Sequence, residues 1–151
     1  MKKNSFLIKI LIIYLFLNLS AISLETNHFE EGIKFFEKKE FSKSKFYFER
    51  DLVFNPKNEK SYLYLAKIFS KDKDESIDEQ EINLNNVLLL NPQNDEAIYM
   101  LTLIKIEQSN YEKAKSLIEN FVLVCKSFCS KTNEINEKLE KIIPENVKAA
   151  N

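Results

Sequence analysis

Both cysteines of the chain fall in one short stretch, VCKSFCS, where Cys125 and Cys129 stand four residues apart. Such a pair suits a disulfide or half of a soft metal site. On one continuous helix the two thiols would share a face, at the outer edge of disulfide reach. A helix that ends near Lys126 lets Cys129 swing close, and a bridge there would clip the helix before it to the one after. The bland alternative is two small hydrophobes in a core. A metal is disfavoured, because the sole histidine, His28, lies at the far end of the chain and two ligands do not complete a set. With one histidine, no Ser/His/acid grouping and no glycine-rich phosphate loop, the usual catalytic constellations are missing. Acidic runs such as DKDES read as solvated loop. The expectation is a non-enzyme with no cofactor, no metal and no catalytic residue.

The disulfide reading depends on compartment, and the N-terminus speaks to that. MKKNSFLIK carries three lysines, Ile10 to Leu19 is a nearly unbroken apolar run, and Ala21-Ile-Ser23 follows. Charge, apolar core and small residues in that order form a secretory signal, with cleavage expected before Leu24. Residues 1–23 are therefore a signal peptide, or else an uncleaved anchor in which Phe6–Leu24 spans a bilayer with Lys9 snorkelling. Either form puts the remaining chain outside the cytoplasm, in the periplasm or cell envelope, where a cysteine pair tends to be bridged.

What positions these residues follows from composition and period. The 151 residues include 12 Phe and 6 Tyr but one Gly and three Pro. So few turn formers favour helices over sheet. Without the first 23 residues, 19 basic residues face 23 acidic ones, interleaved as on solvated helix faces. A nucleic-acid binder shows a basic stripe instead. Apolar residues recur at helical spacing in segments of about 10–15 residues: Phe29, Ile33, Phe36, then Tyr62, Leu65, Ala66, Phe69, then Leu84, Val87, Leu88. The phrase VFNPKNE at Val53–Glu59 returns as LLNPQND at Leu89–Asp95, and its prolines, Pro56 and Pro92, lie 36 residues apart. Asn-Pro stops a helix because the residue before proline is pushed out of the α region. The asparagine after it, Asn58 or Asn94, with the following acid, caps and charge-matches the next helix. The two apolar residues before Asn-Pro are expected to end their helix on the core.

A period in the mid-thirties calls for a comparison with helical repeats. Small residues stand at Gly32, Ala66 and Thr102. Large ones follow at Phe35 and Phe69, though Lys105 breaks that pattern. The turn into each second helix carries an apolar residue, Phe41, Ile77 or Tyr111, and Phe48, Leu84 and Ile118 share one register. SNYEKA, Ser109–Ala114, places the small Ala114 where two helices approach; Ser44 keeps that size and Gln80 does not. On these residues the chain resembles the tetratricopeptide repeat (TPR) family. The resemblance implies an all-α fold: a right-handed superhelical stack of three TPR-like helix–turn–helix hairpins plus a C-terminal capping helix. The domain is read as residues 24–144, with units at about 25–58, 59–94 and 95–128. The second unit carries two surplus residues within Lys71–Ser76. The cap covers about 131–143, with Thr132 or Asn133 as its N-cap and Pro144 as its stop; residues 145–151 are a tail.

By the same resemblance the first helices line a concave groove. Its expected protein-binding residues are Phe29, Ile33, Phe36, Leu63, Lys67, Tyr99, Leu103 and Ile106, apolar at the ends with a lysine in the middle. Some family members grip a carboxylate terminus with cationic and amide side chains. The matching positions here hold Phe29, Ile33, Tyr64, Glu96 and Met100, so an apolar peptide or amphipathic helix fits better. The implied function is an exported adaptor or assembly factor that binds another protein. The alternatives are a groove filled by a second copy or by the chain's own ends, and a membrane-anchored structural subunit that works through oligomerisation.

Overall fold

The computed structural model describes residues 27–71 and 77–142; the N-terminal segment, the whole DKDES run, Pro144 and the tail lie outside them. The described residues form α1 (His28–Glu37), α2 (Phe41–Phe54), α3 (Glu59–Phe69), α4 (Ile77–Leu90), α5 (Asp95–Glu107), α6 (Tyr111–Val124), a 3-10 turn at Cys129–Lys131, and α7 (Thr132–Ile142). Each odd helix packs along the even helix that follows it, and neighbouring pairs contact through α2 with α3 and α4 with α5. The result is an all-α stack of three hairpins. Helix α7 closes it by packing against both α5 and α6.

Asparagine starts most of these helices. Asn27, Asn58, Asn94 and Asn110 precede α1, α3, α5 and α6, and each side-chain oxygen accepts a backbone N–H of the first turn. That satisfies one of the donors that a helix start leaves open. Two hairpin turns close with a left-handed residue, Lys39 at φ 60° and Ser109 at φ 56°. In each, the next N–H reaches back to the last helical turn, Glu40 to Phe35 O and Asn110 to Lys105 O, both in the Schellman pattern. The cap helix starts differently. Neither Thr132 nor Asn133 precedes α7, which continues from the 3-10 turn, and the Thr132 hydroxyl donates back to Cys129 O.

The hairpins close where small meets large. Gly32, Ala66 and Thr102 are buried on the odd helices, and Phe48, Leu84 and Ile118 are buried on the even ones. A Cβ on Gly32 would lie 2.6–2.9 Å from three atoms of the Phe48 ring, which is itself stacked on Tyr64. The Ser44 hydroxyl, fully buried, donates to the Gly32 carbonyl. Lys105, the exception to the apolar pattern, is buried too, with its amine on the Glu81 carboxylate and on Gln108 Oε1. One expectation is overturned. The apolar residues before each Asn-Pro do not end on the core: Val53, Phe54 and Leu89 are among the most exposed large hydrophobics of the protein. In a single layer of hairpins the outer side of an even helix has no neighbour to cover it.

Two stability changes follow. Gly32→Ala gains helix propensity but overpacks against a ring that cannot retreat, so thermal unfolding should show a net loss of about 1–2 kcal/mol. Ser109→Gly relieves a side chain from the left-handed region and should raise stability by about 0.5–1 kcal/mol.

Candidate functional site

The expected groove residues come from α1, α3 and α5, and the structure distributes them unevenly. Leu63 and Ile106 are buried members of the larger core cluster. Phe29, Ile33 and Phe36 are half-buried and pack on the smaller cluster, where Phe29 and Phe36 both meet the Tyr64 ring edge-on, at 6.0 and 5.1 Å between centroids. Tyr99 and Leu103 are half-buried beside the larger cluster. None of the eight is among the exposed large hydrophobics.

The middle of this face is charged but balanced. Lys67 of α3 pairs with Glu96 of α5 at 2.8 Å and sits over the Tyr64 ring, 5.0 Å from its centroid. The lysine that the sequence offers to a ligand is therefore already engaged across the hairpin boundary. Burial, with the Glu96, Glu37 and Glu30 carboxylates adding to it, pushes the Tyr64 hydroxyl above its usual range.

Toward the C-terminal end, Ser70, Gln80, Tyr99, Met100, Leu103, Ile104 and Glu107 surround an open-sided depression of about 330 Å³. Tyr99 marks its border with the cap: its hydroxyl donates to Glu134 Oε1 of α7 at 2.9 Å, and its ring lies 5.8 Å from that of Phe128. Burial first, and then this bond, raise the Tyr99 pKa. Glu134 is held below the usual carboxylate range by Lys131 and then by Tyr99.

The joints between hairpins hold polar clusters that the sequence reading did not anticipate. At the first joint, Asn55 and Asn58 donate their amides to the buried Asp51 carboxylate at 3.0 and 2.7 Å, and the Ser61 hydroxyl adds a third bond at 2.6 Å. At the second, Asn91 and Asn94 both donate to Glu59 Oε1, which comes from the start of the preceding odd helix. At the third, Asp95 Oδ2 accepts the backbone N–H groups of Lys126, Ser127 and Phe128 at 2.7, 2.6 and 3.0 Å. Glu59 and Asp95 occupy equivalent places and each reaches forward to the next joint. The 36-residue repeat of asparagine and acid was the available signal.

Cys125 and Cys129 bracket that third joint and are joined by a disulfide, with Cα atoms 5.2 Å apart. The geometry is open to them because α6 stops at Val124 and Cys125 is already extended, at φ −58° and ψ 142°. His28, at the other end, is buried, with its ring stacked on Phe54 at 5.6 Å. Among the described residues no group of three or more His, Cys, Asp or Glu side chains could hold a metal ion. No protein-family model matches the chain, and no characterised protein matches it significantly.

The third joint has a pH signature. Burial alone would raise the Asp95 pKa, but the N–H groups of Lys126, Phe128, Ser127 and Glu96 outweigh it and hold the carboxyl below its ordinary 3.8. A carboxyl depressed in the folded state adds stability that is complete above its unfolded pKa and is lost as pH falls through the folded one. Asp95→Asn should therefore cost about 1–2 kcal/mol near neutral pH, measured by thermal unfolding. The gap to wild type should close as both are acidified well below pH 3.8.

Proposed function

We propose that this chain is a non-enzymatic interaction module of the tetratricopeptide-like kind, exported to the periplasm or cell envelope. It binds an apolar peptide or amphipathic helix of another protein along the face formed by α1, α3 and α5. The observation that carries this reading is the depression where Tyr99, Met100, Leu103 and Ile104 of α5 are joined by Ser70 at the end of α3, Gln80 of α4 and Glu107. A mostly apolar concavity with a few orienting polar groups is the usual form of a recognition site. Packed helical hairpins favour binding because the site is formed before the ligand arrives and little conformational freedom is lost on docking. The balanced Lys67–Glu96 pair supports a ligand selected by apolar contacts and helix polarity rather than by a terminal carboxylate.

The test is crosslinked pull-down from an envelope extract with the full chain, alongside Leu103→Asp and Lys67→Glu. Each variant is checked for helicity and solution mass. The expected result is a monomeric wild type that captures a partner, and two folded variants whose capture falls at least tenfold. Undiminished capture by both folded variants would sink the reading. So would a wild-type dimer that Leu103→Asp splits into monomers, because the face would then be filled by a second copy.

A further inference from the structure

The most exposed apolar side chains belong to the even helices α2, α4 and α6. Val53, Leu89 and Leu123 end α2, α4 and α6 at equivalent positions and are 76%, 80% and 84% exposed. Phe54 at 65% and Val122 at 53% widen this row. Phe46 and Ile82, each seven residues before a member of the row and so on the same helix face, are 53% exposed as well. A single exposed leucine needs no explanation, but a large apolar residue exposed at the same place in three successive hairpins is a repeated feature that points to a contact.

The start of the described chain indicates what that contact is. Asn27 caps α1, and the His28 ring beside it is stacked on Phe54, so the N-terminal 26 residues depart from one end of the row. They include the apolar run Ile10–Leu19, and only Ser20–Thr26 separate that run from Asn27. Seven residues reach at most about 25 Å. Whatever holds Ile10–Leu19 is therefore held close to the exposed row. Lysines stand at two of the three joint tips, Lys57 and Lys126, both exposed.

We propose that the outer face of the even helices is a membrane-contact surface. In the uncleaved form of the chain, Ile10–Leu19 enters a bilayer and the row settles onto the same leaflet. Val53, Leu89 and Leu123 dip into the boundary between headgroups and acyl chains, as the apolar side of an interfacial helix does. Lys57 and Lys126 lie among the lipid phosphates. This orientation leaves the face of the odd helices turned away from the lipid, so the contact is independent of the groove reading.

The chain has no tryptophan, so single reporters can be placed without background. Full-length Leu89→Trp and Leu123→Trp are incorporated into phosphatidylcholine–phosphatidylglycerol vesicles, with and without bromine on the acyl chains. Lys38→Trp, exposed at the α1–α2 hairpin turn, serves as control. The expected result is at least twofold quenching by brominated lipid at positions 89 and 123 and none at 38. Unquenched emission at 89 and 123 overturns the proposal. If it is red-shifted the row lies in water, and if blue-shifted a second copy or residues 1–26 cover it. Failure of the chain to float with the vesicles overturns it equally.

Discussion

At every joint of this stack several hydrogen-bond donors converge on one carboxylate. Asp51 gathers two asparagine amides and a serine hydroxyl, Glu59 gathers two asparagine amides, and Asp95 gathers three backbone N–H groups. A joint must end one helix and start the next within a short stretch, four residues at the first two joints, which leaves carbonyls and N–H groups open on both sides. Asparagine is suited to this because it both accepts and donates. Asn94 accepts from Ala97 N at the helix start while its amide donates to Glu59. The carboxylate then fixes the direction in which one hairpin follows the last, and side-chain packing completes what it sets.

Packing is exacting only along the seam inside each hairpin. Gly32 under Phe48 leaves no space for a methyl group, and Ser44 must find its acceptor on the Gly32 carbonyl because no water reaches it. Elsewhere the stack tolerates substitution if charge is satisfied. Lys105 lies at a position where the second unit has Phe69, and it is accommodated because Glu81 and Gln108 meet its amine. Glu81 is correspondingly held below the usual carboxylate range, first by Lys105, against the opposing effect of burial, and further by Gln108.

Much of this architecture was legible in the sequence, because its cues are local. The Asn-Pro stops, the asparagine caps and the small–large seam at Gly32 and Phe48 all act within a few residues or within one hairpin. What escaped reading depends on how hairpins stack. Glu59 and Asp95 looked like helix-start acids, which they are, but their partners lie more than thirty residues further on. Val53-Phe54 and Leu89-Leu90 looked like core because periodicity counts apolar residues without knowing which side of a helix has a neighbour. For the same reason Leu63 and Ile106, expected on the groove, are core, while the depression draws on Ile104 and Gln80, which were not expected to bind.

Helix α3 has a further consequence, because it supplies both core clusters. Leu63 and Ala66 face the larger one, with the second and third hairpins and α7, while Leu65, Ile68 and Phe69 face the smaller one, with the first hairpin. Among the described residues this helix is the one element that the two interiors share. Loss of the smaller cluster and the Asp51 knot would release α1 and α2 while leaving the larger cluster intact. A chain divided this way can open in parts, as stacked repeats do. The segment closest to the N-terminal apolar run is then the part that yields first under a pull from that end, and α3 is the breakpoint.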